Sequence, residues 1–529
     1  MKRKKGLRIW GLSVISLLLL FAVACSNTAT TANEPMAEPS GGKVSEGKPV
    51  KLRWLLAGPG KQADSDKVWA EFNKRLSQYL PNTTVEFEAI DLAKFEEKFK
   101  LVAASGENYD IAWTGYKNSL PDNVKRGAFL PLDELLEKSA PELKEALPDY
   151  MWEKMKFDGK IYAVPAYQQT WDTNVGIKLH KSLAEKFALD TGKLEETLAS
   201  NEFITQEIYD QLGDYLQKLK DNNELRKGVS VETTAWLADK GTSSLYKDFV
   251  IAREDQSGKI LLKYERPEYK MMIGNHAEWF KKGFIRKDVL SIQDRRADEK
   301  KEDGYVLYVT TQYNADPEFP QVSTNDMDSS SFGYPVISVP VTPKSYYIPS
   351  GDVSTHNAIS ASSNNPERAI QLLSLLYSEE GKDLYNLLVW GLEGVHYNKV
   401  SENRIETIDY VGQGTMSSKY GQWKWTIGNT FHSWLTQADA DGLGEYVLAS
   451  MNKAKVSPLV DFKINIEPVK NELAYIDAIV KEYNLSLYSG AVDNYEQRYQ
   501  EFMDKLKKAG SDKVKEEFQK QINEYLSNK

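Results

Sequence analysis

The residues best suited to chemistry in this chain are aromatic rings set beside amides. Tyr167-Gln168-Gln169-Thr170-Trp171 places two rings and two amides in five positions. Rings stack on the C–H faces of polar ligands, and planar amides bridge neighbouring hydroxyls, a combination that suits sugars. Trp113 is followed by Thr114-Gly115-Tyr116, and Trp423, Trp425 and Asn429 form another aromatic-rich stretch. Tyr313 stands between a predicted strand and a loop, and Trp390 precedes Gly391 at a predicted helix end. The expected ligand contacts are Asp64, Trp113, Tyr116, Tyr167, Gln168, Trp171, Tyr313, Trp390 and Trp425. Core packing competes for Trp113 and Trp390, and helix capping explains Asp64 equally well.

The chain has one cysteine, Cys25. It follows a basic start (Lys2, Arg3, Lys4, Lys5, Arg8), an apolar run from Ile9 to Val23, and Ala22-Val23-Ala24. That run is short for a membrane span and has the length of a secretory signal. A thiol with no partner, placed just after an export signal, reads as a lipid attachment point, with a fatty acyl group such as palmitate. Residues 26–49, rich in Ser, Thr, Asn, Gly, Pro and Glu, read as a tether between that anchor and a folded body.

Catalytic constellations are weak. His180, His276, His356, His396 and His432 are scattered without metal-ligand spacing, and no GxSxG elbow or phosphate-binding loop occurs. Asp439-Ala440-Asp441-Gly442 is part of a calcium-loop pattern and reads as a solvated turn. No metal or other cofactor is expected. The whole chain carries 67 basic and 76 acidic side chains, and five of the basic ones precede Cys25. A body this acidic is a poor partner for nucleic acid.

Positioning these groups requires a scaffold. Val50 to Ala57 reads as a buried strand and Asp64 to Leu80 as a helix. Thr84 to Ile90, Phe95 to Ala104 and Tyr109 to Trp113 follow as strand, helix and strand. That order predicts a parallel α/β sheet, with ligands beyond the carboxyl ends of its strands. Residues 313–332 read as loop, Tyr334 to Val341 as strand, and Asn364 to Tyr377 as a helix capped by Asn364 or Asn365. The last sixty residues are amphipathic and helical.

The chain resembles the extracellular solute-binding lipoproteins of bacterial ABC importers, in the group that binds sugars and oligosaccharides. The resemblance rests on the Cys25 signal, Tyr109 to Gly115, Gly127-Ala128-Phe129-Leu130-Pro131-Leu132, Asp158 to Pro165, Pro366-Glu367-Arg368-Ala369 and Trp390 to Tyr397. Its C-terminal part looks like the extra segment of a LipO-like subgroup, which often has tyrosine where this chain has Trp390. The resemblance implies a two-lobe α/β fold with a hinge and an interlobe cleft. The implied division is signal peptide 1–24, tether 25–49, lobe one 50–165 plus 345–410, and lobe two 166–344 plus 411–529. It further implies a monomer on the extracellular face of a Gram-positive type membrane, partnered by a sugar, by ABC permease subunits and by the lipid bilayer. A surface-anchored glycoside hydrolase, a carbohydrate sensor and a peptide ligand stay open as alternatives. Lys61 and Lys117, near the aromatic candidates, leave an acidic sugar open.

Overall fold

The computed structural model describes residues 48–170, 175–292, 303–342, 346–349, 355–409 and 416–529. Cys25, the signal, the tether and Trp171 lie outside the described residues. Two large hydrophobic cores divide the body into two lobes.

The first lobe is built on β1 (Val50–Gly58), β2 (Thr83–Asp91) and β3 (Ile111–Gly115), paired in parallel with β1 in the middle. β1 buries Leu52 and the run Trp54 to Ala57, as a strand covered on both faces must. Helices α1 (Ser65–Leu76) and α2 (Phe95–Ser105) link the strands. Val68, Phe72 and Leu76 recur every four residues and give α1 one buried stripe. The expected strand–helix order is present. β4 (Val164–Pro165) and β11 (Thr355–Ile359) complete the sheet in the order β2-β1-β3-β11-β4, with β11 antiparallel.

The second lobe has two three-stranded antiparallel sheets. β5 (Val175–His180) lies between β9 (Leu307–Thr311) and β10 (Val336–Pro340). β6 (Thr242–Tyr246), β7 (Phe249–Ala252) and β8 (Ile260–Leu262) form a meander. The chain passes between lobes after β4 and again between β10 and β11. The last three helices, Lys470–Tyr488, Tyr495–Lys508 and Ser511–Ser527, bury Leu473, Ile476, Phe502, Phe518 and Ile522 in the second core. Phe518 meets Phe249 edge-on at 5.3 Å. The stretch 411–529, expected wholly in lobe two, divides: Tyr420, Ile427 and Trp434 pack in the first core.

Two local expectations change. Residues 324–332 form a helix, capped by the Ser323 hydroxyl, which accepts from the Asp326 amide. That helix buries little besides Thr324, so it has no apolar stripe for periodicity to reveal. Asn365 precedes the helix Pro366–Tyr377 but makes no side-chain cap bond.

His276 is fully buried in the second lobe, and its Nδ1–H donates to the Tyr488 carbonyl. Nε2 has no partner among the described residues. Burial pulls its pKa down from 6.5 to about 4. The folded value lies below the unfolded one, so this stabilisation is complete above about pH 6.5 and is lost as pH falls through 4. The effect is roughly 3 kcal/mol at one pKa unit per 1.36 kcal/mol. Urea unfolding of the wild type should show that loss between pH 6.5 and 4, and His276→Gln should flatten it. Identical pH profiles for both proteins would refute the assignment.

Candidate functional site

The carboxyl ends of β1 and β3 hold a short 3₁₀ turn, Lys424–Thr426, that carries Trp425 and is preceded by Trp423. Several buried bonds fix this turn. Gln422 Nε2 donates to the Ala57 carbonyl at 2.6 Å and to Thr426 Oγ1 at 2.9 Å. Asn357 Nδ2 donates to the Thr426 and Ile427 carbonyls at 3.0 and 3.2 Å. The Thr355 hydroxyl donates to the Trp425 carbonyl at 3.0 Å and accepts from Trp113 Nε1 at 2.6 Å. Tyr385 donates its hydroxyl proton to the Lys424 carbonyl at 3.0 Å. A turn held from this many directions presents its side chains in one geometry, which lowers the ordering cost of binding.

What it presents is an aromatic platform. Trp423 and Trp425 stack at 5.3 Å with 18° between their planes. Tyr116, 60% exposed, tilts over Trp425 at 6.3 Å. Trp113 lies edge-on beneath both, at 6.1 Å from Tyr116 and 6.3 Å from Trp425. Trp113 itself is fully buried and stands edge-on to Phe95 at 5.2 Å, so it supports the platform from below. Trp390 is 6% exposed, ends the helix Lys382–Trp390, and sends Nε1 to Ser433 Oγ at 3.2 Å; it packs in the first core.

Trp425 also lines a cavity of about 660 Å³ beside the first crossing segment. Gln168, Gln169 and Tyr313 share that wall with Trp425, Phe431 and Ser433. Its size is in the range of small-molecule sites. Tyr167 anchors the crossing: its amide donates to the Gly428 carbonyl at 3.1 Å, and its carbonyl accepts from the Thr430 amide at 2.8 Å. Its ring meets Phe431 edge-on at 4.9 Å. Tyr313 stands edge-on to Tyr446 at 5.8 Å, and burial raises its hydroxyl pKa.

Asp64 is outside this group. Its carboxylate takes Lys67 Nζ at 2.6 Å and His396 Nε2 at 3.3 Å, and makes no cap bond to α1. The Lys67 bond, then the His396 bond, hold its pKa below the usual carboxylate value. His396 Nδ1 accepts from the Leu392 amide at 2.9 Å, so Nε2 carries the proton given to Asp64. Burial lowers the His396 pKa and favours that neutral form. Asp439 accepts from the Thr436 amide and hydroxyl at 2.8 and 2.7 Å, and Asp441 pairs with Arg404 at 2.6 Å.

Trp113, Tyr116, Tyr167, Gln168, Tyr313 and Trp425 are thus assembled around one region, two of them as supports. Sequence reasoning missed Gln422 and Asn357, buried polar residues whose role is to hold backbone. Gly58 is the one legible trace of Gln422: a Cβ there would stand 2.5 Å from the Gln422 amide. Gly58→Ala should displace the turn and weaken ligand binding about tenfold, with a stability cost of about 1–3 kcal/mol from overpacking. Unchanged affinity by calorimetry would show that the turn does not set the platform.

Comparison with known proteins decides the family. Residues 61–383 match the family described as bacterial extracellular solute-binding protein. The chain belongs to that family. This solute-binding protein also matches, over residues 458–527, a domain of unknown function, DUF3502. That stretch spans the three C-terminal helices of the second core. A carbohydrate ABC transporter substrate-binding protein of Streptococcus pneumoniae is 25% identical over the full length of both chains. The polygalacturonan/rhamnogalacturonan-binding protein YtcQ of Bacillus subtilis is 23% identical, covering 74% of each chain. Among solved structures, the N-glycan transport solute-binding protein NgtS of S. pneumoniae superposes with a TM-score of 0.72 at 24% identity, over 91% of this chain and all of that one. The alginate-binding protein AlgQ2 superposes at 0.58 with 16% identity, over 90% of this chain and 98% of that one. These likenesses carry the two-lobe solute-binding fold. The matched family is one of solute carriers, not of enzymes.

Proposed function

We propose that this solute-binding protein captures an oligosaccharide in its cleft and delivers it unchanged to an ABC permease. The observation that carries the sugar class is the platform of Trp423, Trp425 and Tyr116, which adjoins a cavity bearing Gln168 and Gln169. Stacking faces and amides in one wall suit rings of C–H and hydroxyl groups. The relatives' names span N-glycans and polygalacturonan, which supports the carbohydrate class and leaves its charge open. Cys25 is the proposed lipid anchor, holding the body outside the membrane through residues 26–49. Among the described residues no helix is long and apolar enough to cross a membrane.

Titration calorimetry of the body, residues 48–529, against mannose–N-acetylglucosamine oligosaccharides and oligogalacturonides tests the ligand class. Micromolar or tighter binding of at least one, with the sugar recovered intact, is expected. Silence across the panel, or turnover of the sugar, would overturn the reading. Cys25→Ser should release the full chain from membranes into the medium and abolish palmitate incorporation.

A further inference from the structure

The leading stretch of the matched domain of unknown function is rooted in the second lobe. Leu459, Phe462 and Val469 are buried in the second core. Phe462 packs against Tyr525 of the last helix at 5.2 Å. Gln521 of that helix clamps Asn465, accepting from its amide at 2.8 Å and donating to its carbonyl at 2.9 Å. Tyr525 donates its hydroxyl proton to Asp461, and Lys529 Nζ donates to the Pro458 carbonyl at 3.1 Å.

Between these anchors two side chains reach the first lobe. Lys463 sets its ammonium 3.9 Å from the centre of the Phe157 ring. Phe157 belongs to a short hairpin, Lys156–Phe157 with Lys160–Ile161, that packs on the first core just before β4. The Lys463 ammonium is shielded from solvent, where a cation–ring contact is worth most. Glu467 pairs at 3.4 Å with Lys125, the last residue of the helix Leu120–Lys125, which buries Leu120 in the first core. Both members of that pair are about half exposed, so it is the weaker tie.

The same stretch also grips the second crossing between the lobes. Lys455–Val456 pairs in parallel with Tyr347–Ile348, and the Ser457 amide donates to the Ile348 carbonyl at 2.9 Å. From the first lobe, Lys154 at the end of the helix Asp149–Lys154 donates to the next carbonyl, that of Pro349, at 3.2 Å. Residues 455–467 therefore touch both lobes and the chain that joins them.

We propose that residues 455–467 form a brace that sets the angle between the lobes, with Lys463 on Phe157 and Glu467 on Lys125 as its two ties. Hinge motion flexes the crossing segments, and any other contact between the lobes must persist, slide or break as they turn. A tie made in one arrangement and lost in others shifts the population toward the first by its own free energy. None of these residues lines the Trp425 cavity, so the brace acts on capture only through the lobe angle. The proposal stands on the two-lobe fold and is independent of the sugar reading.

The test is single-molecule energy transfer between the lobes without ligand. Cys25 is the chain's one cysteine, so in the Cys25→Ser chain Lys138→Cys in the first lobe and Lys193→Cys in the second, both exposed, accept the two dyes. One narrow interlobe distance is expected. Glu467→Lys sets a like charge against Lys125 and should raise the fraction of molecules outside that distance about two- to fivefold. Lys463→Met keeps the bulk, removes the charge and should raise it further. Adding Lys125→Glu to Glu467→Lys should restore the original distribution. If Lys463→Met fails to fold, the charge swap decides the question. A folded Lys463→Met or a Glu467→Lys chain with the original distribution, or a widening that Lys125→Glu leaves in place, overturns the brace.

Discussion

Trp425→Ala should weaken oligosaccharide binding by at least about 30-fold, roughly 2 kcal/mol, with little change in the unfolding midpoint. The ring is half-buried between Trp423 and Tyr116 and lines the 660 Å³ cavity. Its backbone is fixed independently, through the Thr355 bond to its carbonyl and the Asn357 and Gln422 bonds around it. Removing the ring therefore removes a ligand contact from a turn that stays in place. Trp113→Ala is the instructive contrast. That ring is wholly buried, so truncation should cost about 3–5 kcal/mol of stability and disturb the platform only through it. Calorimetry and urea unfolding, run together on both variants, separate the two roles. A large binding loss for Trp113→Ala alone would move the ligand away from the platform.

Lys178→Ala should destabilise the second lobe by about 3–5 kcal/mol. Lys178 sits in β5, the central strand of its sheet, with a fully buried side chain. Its ammonium contacts the Asp328 carboxylate at 2.7 Å and Gln312 Oε1 at 3.1 Å, and bonds Ser338 Oγ. Burial lowers its pKa, while Asp328 opposes that shift. Truncation strands the Asp328 charge in a poorly solvated site. A shift on the order of 10 °C in the second lobe's melting follows from that loss for a lobe of this size. Lys178→Met combined with Asp328→Leu removes both charges and should recover most of the stability. A single variant that melts like the wild type would mean the pair adds nothing to the fold.

The first lobe was the more legible half. β1 ends in a continuous apolar run, β2 alternates Val85, Phe87 and Ala89 with polar residues, and the helices carry one-sided stripes, such as Phe72 and Leu76 in α1. These are the patterns that burial on a parallel sheet imposes. The helix at 324–332 could not be read that way, since nearly all of it faces away from the core. Nor could the division of 411–529, because Tyr420, Ile427 and Trp434 reach the first core from irregular segments. Among the site candidates, the structure brings several near one another, and residue type did not give the packing of each. Trp113 and Trp425 are chemically identical, and only the fold decides that one lies beneath the other. Asp64 looked available to hydroxyls because the pairing of its carboxylate with His396 spans 332 positions of sequence. Asn357 gave no signal and Gln422 only the glycine at position 58, since each acts on backbone brought from another part of the chain.

A crystal structure of the protein with its tightest-binding oligosaccharide tests the capture site most directly. The expected result is a sugar ring stacked against Trp425 or Tyr116, with hydroxyls on Gln168 or Gln169 and every glycosidic bond intact. A ligand held away from these four residues, or one found cleaved, would contradict it.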